Sequence, residues 1–178
     1  MKRLSLLLLI VATFVLPLAA HDTAVDPPLT ILKRSKAGMP VIALNIHGER
    51  FEVEIAATSP RRQQGMGGRA RFPKGTGMLF AHPSASPRSY WMKECLFNID
   101  VAFLDAEGVI VAVHEMQVEP PKRATETTTK YTKRLKKYLS SRPAQYAVEF
   151  VPGTIKRLKL KVGETIALPR EGLRGLTR

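Results

Sequence analysis

Hydrophobic and polar residues alternate most cleanly at Phe51-Glu52-Val53-Glu54-Ile55, where every second side chain is apolar. That is the period of a strand with one buried and one wet face. The β-prone run Val41 to Ile46 precedes it across the turn-like His47-Gly48-Glu49-Arg50, so the two are predicted to form a hairpin. Thr58 or Ser59 can cap a short helix, with Pro60 tolerated in the first turn because its missing N–H would be unpaired there. Gly65, Gly67 and Gly68 then stop it. Further strands are expected at Gly77 to Phe80, Ser89 to Lys93, Ile99 to Leu104, Val109 to Val113, Gln145 to Val151 and Thr165 to Leu168, with a loop at His82 to Arg88 and a turn at Asp105-Ala106-Glu107-Gly108. Thr154 to Lys161 reads as a short helix or an irregular turn.

One stretch has helical period. Tyr131, Leu135, Tyr138 and Leu139 fall on one face of an α-helix expected over 127–141, and the Thr127 to Thr129 cluster can cap it. The opposite face is Lys and Arg. Together these elements imply a mainly β (β-rich α+β) fold: a single compact barrel- or sandwich-like domain with one or two short helices. No internal repeat is visible.

The chain begins with Lys2 and Arg3, an uncharged apolar run from Leu4 to Leu18, and Ala19-Ala20. This pattern predicts a secretory signal peptide over 1–20, the run being short for a membrane span. The mature chain is expected to start near His21, with no transmembrane span after cleavage and a periplasmic or extracellular location. A Pro-rich, basic linker is expected over 21–39, the folded domain over 40–168, and an aperiodic tail over 169–178.

With 178 residues there is room for one domain with a real core. A single cysteine, Cys95, excludes an internal disulfide framework and a CxxC redox pair. The formal net charge of +13 is unevenly spread. Residues 21–121 carry eleven bases and eleven acids, whereas 122–142 carry eight bases against Glu126 alone. This local excess, with Lys130, Lys133, Arg134, Lys136 and Lys137 at its centre, is an electrostatic footprint for an anionic polymer or lipid surface, or else a solvated face. No helix-turn-helix, RNA-recognition or zinc-finger signature accompanies it, so specific nucleic-acid readout is not expected.

The region 65–105 is the most distinctive. Gly65-Met66-Gly67-Gly68-Arg69, Gly77-Met78-Leu79-Phe80, Tyr90-Trp91-Met92-Lys93 and Ile99-Asp100-Val101-Ala102-Phe103-Leu104-Asp105 follow in that order. Tyr146 to Gly153 and Val162 to Ile166 continue the pattern. Over residues 41–168 the chain resembles the domain of unknown function 192 family. The resemblance implies a compact β-rich domain and no established activity. It also marks departures: the family usually has Gly-Leu-Met-x-Arg where this chain has Gly65 to Arg69, Asn-Thr where it has Glu94-Cys95, and Pro where it has Asn98.

Candidate chemistry is sparse. Trp91 and Lys93 are expected to share a face, an aromatic platform beside a cation for a sugar, an acid or another polar ligand. Asp100 interrupts an apolar run, and a buried carboxylate needs partners. Arg69 or Lys93 could pair with it, or it could cap a loop through backbone N–H groups. Arg69, Trp91, Lys93 and Asp100 are therefore the candidate ligand-binding residues. Met66, Met78 and Met92 read as core filling rather than copper ligands. Cys95 with His82 or His114 makes a weak thiol nucleophile, and the four histidines lack metal-ligand spacing, so no metal and no cofactor are expected. The first reading is a non-catalytic, monomeric exported module for a small ligand or envelope component. The alternatives are a hydrolase using a carboxylate pair that includes Asp100, drawn from Glu54, Asp105, Glu115 or Glu149, and an adaptor that docks the basic helix on anionic lipid or polymer. A hydrolase needs two carboxylates roughly 5–10 Å apart across one cleft.

Overall fold

The computed structural model describes residues 26–177, so the expected signal peptide and the cleavage point near His21 lie outside the described residues. The alternating segment becomes β3 (Glu49–Ala56), paired antiparallel with β2 (Pro40–Ile46). Their connection is His47-Gly48, both at positive φ (50° and 78°), the two-residue turn whose twist matches that of the strands. A two-residue strand, β1 (Lys33–Arg34), adds to the outer edge of β2. After the short helix α1 (Ser59–Gln64), β4 (Thr76–Ser86) returns parallel to β3. It extends well past the expected Gly77 to Phe80, through most of the segment expected to be a loop. The hairpin of β6 (Ile99–Leu104) and β7 (Ile110–Met116) and the central strand β9 (Ala144–Phe150) complete a seven-stranded mixed sheet. Its order is β1-β2-β3-β4-β9-β6-β7, with β9 antiparallel to both β4 and β6.

The sheet does not close. Its two edges, β1 and β7, stay apart in the strand order, so the architecture is sandwich-like and the barrel alternative falls away. Two apolar faces explain why. On one, Phe51, Val53, Ile55, Tyr146, Val148 and Phe150 pack with Ile155 of α3 (Thr154–Leu158) and Leu173 of α4 (Arg170–Leu176). On the other, Met78, Phe80, Val101, Phe103 and Ala147 pack with Met66, Met92 and Cys95. Helices and loops cover both faces, which leaves no need for the sheet to curl onto itself. The three methionines of the sequence motifs are thus core residues, each 2% exposed or less.

Four expectations are corrected. The helix expected over 127–141 is only α2 (Thr128–Arg134), capped by the Thr127 side chain, which accepts from the Lys130 N–H. The chain turns extended at Leu135 and forms β8 (Tyr138–Leu139), which pairs with β5 (Ser89–Tyr90) in a small second sheet. Tyr131, Leu135 and Tyr138 are buried all the same, the Tyr131 hydroxyl accepting the Glu94 N–H and the Tyr138 hydroxyl the Gln117 N–H, whereas Leu139, the fourth residue of the expected stripe, is exposed. Helical spacing here reflects shared burial, not one continuous helix. The strand expected over Ser89 to Lys93 stops at Tyr90, and Thr165 to Leu168 contributes only a single bridge, Thr165 to Val109. The expected aperiodic tail contains α4, anchored by buried Leu173 and by the Arg170–Asp26 ion pair at 2.5 Å. Among the described residues no helix is long and apolar enough to cross a membrane.

Candidate functional site

Strand β9 is buried along its whole length. Its alternation sends Tyr146, Val148 and Phe150 into one core and Ala147 and Glu149 to the other face. Glu149 therefore sits mid-sheet, opposite Met78 of β4 and Val101 of β6, where a strand would ordinarily place an apolar residue. It is 6% exposed, and its Oε2 has no hydrogen-bond partner. Burial pushes the carboxyl up to about 8, with the charge of Arg69 pulling the other way. A buried polar atom without a partner costs on the order of 1–3 kcal/mol, so it calls for an explanation.

The explanation lies above it. Glu149 lines a cavity of about 630 Å³ walled by α1 and its glycine-rich exit, by Phe80 and His82 of β4, and by the segment Arg88 to Cys95. Tyr90 packs edge-on between Phe80 and Phe103, at 5.2 and 4.9 Å between ring centres, and its hydroxyl lies 3.1 Å from His82 Nε2. Burial, reinforced by the charges of Arg88 and Arg62, pushes His82 down to about 3, so its imidazole is neutral near pH 7. Burial raises the Tyr90 phenol well above its ordinary value. Among the described residues three cationic side chains line the same cavity: Arg62, Arg88 and Lys93. Arg62 donates to the carbonyls of Ala57 and Ala81, and Arg88 Nε donates to the Ala144 carbonyl at 3.1 Å. The Cys95 thiol is pushed up to about 12 by burial, with the charges of Glu149 and Glu94 acting in the same direction, which disfavours the thiolate a nucleophile needs.

Of the four residues expected to bind a ligand, the structure brings Trp91 and Lys93 to this cavity and places the other two elsewhere. Arg69 forms a two-pronged ion pair with Glu54, at 2.7 and 2.9 Å, over the ring of Phe72. Burial raises Glu54, but the hydrogen bonds and charge of Arg69 outweigh it and hold the carboxyl below its ordinary value. Asp100 faces the opposite core and accepts the Ile155 N–H at 2.9 Å, fastening α3 to the sheet. Burial raises its carboxyl against the backbone bonds from Ile155, Gly153 and Thr154. The loop-capping role is the one it fills. Lys93 lies beside Glu94 at 3.9 Å. Trp91 is 42% exposed, and one face of its ring carries the Lys137 ammonium at 3.6 Å.

The basic segment is similarly engaged. Arg134 binds Glu126 at 2.8 Å and the carbonyls of Pro120 and Pro121, and lies 4.8 Å over Tyr131. Lys136 covers Tyr138 at 4.8 Å. Lys130 and Lys133 point outward from α2. The turn after Trp-Met-Lys places Glu94 at φ 58°, a region Asn adopts more readily than Glu. Glu94→Asn is therefore expected to raise stability by about 0.5–1 kcal/mol, the weak contact with Lys93 contributing little. A urea midpoint that falls would refute this.

Sequence reasoning passed over Glu149, His82 and Tyr90 as a group. Glu149 carried the same signal that singled out Asp100, a lone carboxylate inside an apolar strand.

The comparisons with known proteins agree with this architecture. A protein of unknown function from Novosphingobium aromaticivorans DSM 12444 is 17% identical with a TM-score of 0.61, over 78% of this chain and 92% of its own. A "putative transcription regulator" from Sinorhizobium meliloti 1021 is 25% identical with a TM-score of 0.55, over 75% of this chain and 87% of its own. No curated protein matches. The family model for domain of unknown function 192, described as an uncharacterized ACR, matches residues 42–168. The chain belongs to that family.

Proposed function

We propose that this chain is an exported, non-catalytic module that binds a small ligand in the cavity over Glu149. One observation carries the reading: Glu149, a buried carboxyl with one oxygen that has no hydrogen-bond partner, stands in the lining of a 630 Å³ cavity. That is room for a small organic molecule. Catalysis finds less support. Among the described residues Glu149 is the one carboxylate lining the cavity, Asp100 faces the opposite core, and burial disfavours ionisation of the Cys95 thiol. Export rests on Lys2-Arg3, the Leu4 to Leu18 run and Ala19-Ala20. The regulator description of the S. meliloti protein finds no echo in the seven-residue α2, whose apolar side chain Tyr131 is buried in the domain.

The test is a thermal-shift screen of the chain from His21 to Arg178 against small acids, amines, sugars and anionic polymers at low and high salt. A small ligand at a hundred times its dissociation constant should add about 2.7 kcal/mol of stability, and the gain should persist at high salt. Stabilisation by polymers alone, vanishing with salt, would replace this reading with docking through Lys130 and Lys133.

A further inference from the structure

Charge and hydrogen-bonding capacity narrow what that cavity can hold. Arg62, Arg88 and Lys93 bring positive charge to its wall against one carboxyl. An ammonium ligand in this cavity would share its wall with all three. We propose that the ligand is a small organic anion of the carboxylic-acid class, its carboxylate accepting a hydrogen bond from the Glu149 carboxyl within the field of Arg88, Lys93 and Arg62. This rests on the cavity being a ligand site. Phe80, Met66 and Trp91 give the ligand's carbon body an apolar wall. A carboxyl-to-carboxylate hydrogen bond is short and charge-assisted, among the stronger kinds available.

The proposal implies a pH signature. Arg69, Tyr90 and Cys95 are the charged or titratable groups whose fields couple to Glu149, while His82, Arg62, Arg88 and Lys93 share the cavity. His82 is neutral above about 3, Cys95 holds its proton to about 12, and Tyr90 titrates well above the ordinary phenol range. Between pH 6 and 9 Glu149, at about 8, is thus the group set to change charge. Its ionisation removes the donor and adds a repelling charge.

The experiment measures dissociation constants for acetate, pentanoate, benzoate and indole-acetate, each beside its amide and amine counterpart, at pH 6 and pH 9. At least one acid is expected to bind tenfold or more tightly than its amide and amine. Its affinity should fall about tenfold by pH 9, the fraction of protonated Glu149 setting the loss. Glu149→Gln keeps an N–H donor and cannot titrate, so it should bind the acid with the pH dependence removed. Preference for the amines or amides, acid affinity unchanged by pH, or binding by other members of the wider screen but by no acid would each overturn the anion assignment and leave the cavity standing. Failure of every compound in the wider screen would overturn both.

Discussion

Glu149→Gln should abolish most of the stability the protein loses as the pH is raised from 4.5 to 9. The carboxyl titrates near 4.5 when unfolded and near 8 in the fold. Between those values the native chain holds more protons than the unfolded one, so stability falls as pH rises. Below 4.5 both states are protonated and there is no penalty; above 8 the penalty is complete. Each tenfold difference in proton affinity between fold and unfolded chain corresponds to about 1.4 kcal/mol, which makes the loss on the order of 4 kcal/mol, or roughly 10 °C in melting temperature for a domain of this size. His82 acts in the opposite sense. Its imidazole goes from an ordinary 6.5 to about 3 in the fold, so it removes stability as the pH falls through that window. From 4.5 to 6.5 the two slopes oppose each other, and the wild-type melting profile should be a plateau with a shoulder on each side. Melting curves at half-unit steps from pH 4 to 9.5 should show the alkaline shoulder flattened in the Gln variant and the acid shoulder intact. An alkaline shoulder that survives the substitution would mean that Glu149 ionises freely in the fold.

The pH profile depends on a residue that sequence pattern alone ranks no higher than four other carboxylates. The strands were legible because burial enforces period two: the β2–β3 hairpin, its His47-Gly48 turn and the β6–β7 return all appear where alternation and turn residues put them. The helix over 127–141 was not, because Tyr131, Leu135 and Tyr138 can all be buried by a seven-residue helix followed by a bridge-length strand, and spacing does not distinguish the two. That Trp91 and Lys93 line one cavity was legible for a similar reason. Trp91 and Lys93 are two positions apart in the chain, so their proximity is local. Whether Asp100 meets Arg69 depends on which face of β6 looks at which loop, and that is fixed only when β9 slots between β4 and β6. The same insertion carries Glu149 to the cavity. The site is a product of non-local pairing, and no short window of sequence contains it.

That dependence on packing between distant segments is felt at Gly108, where an alanine is expected to cost about 2–3 kcal/mol. Gly108 closes the turn between β6 and β7 at φ 87°. Asp105 fixes the turn, its Oδ1 accepting from the N–H groups of Glu107 and Val109 at 3.0 and 2.9 Å. The Gly108 carbonyl accepts the Ile166 N–H at 2.9 Å, which ties the segment 163–166 alongside the turn. A Cβ on residue 108 would lie 2.7 Å from the Ile166 carbonyl oxygen, a backbone atom of the residue whose N–H makes that bond. Two costs combine. The left-handed conformation is unfavourable for alanine by roughly 1–2 kcal/mol, and loosening the Ile166 bond adds about 0.5–1.5 kcal/mol. Gly175 supplies the control. It lies in α4 without a positive φ, and a Cβ there meets nothing within 4 Å. Gly175→Ala should be neutral or stabilise by up to about 1 kcal/mol, since alanine is the better helix former. Urea unfolding of both variants beside the wild-type chain decides the matter. Equal midpoints for the two alanines would show that the turn yields to a methyl group. A lower midpoint for Gly108→Ala alone would show that the segment 163–166 is held in place by a backbone contact that only glycine permits.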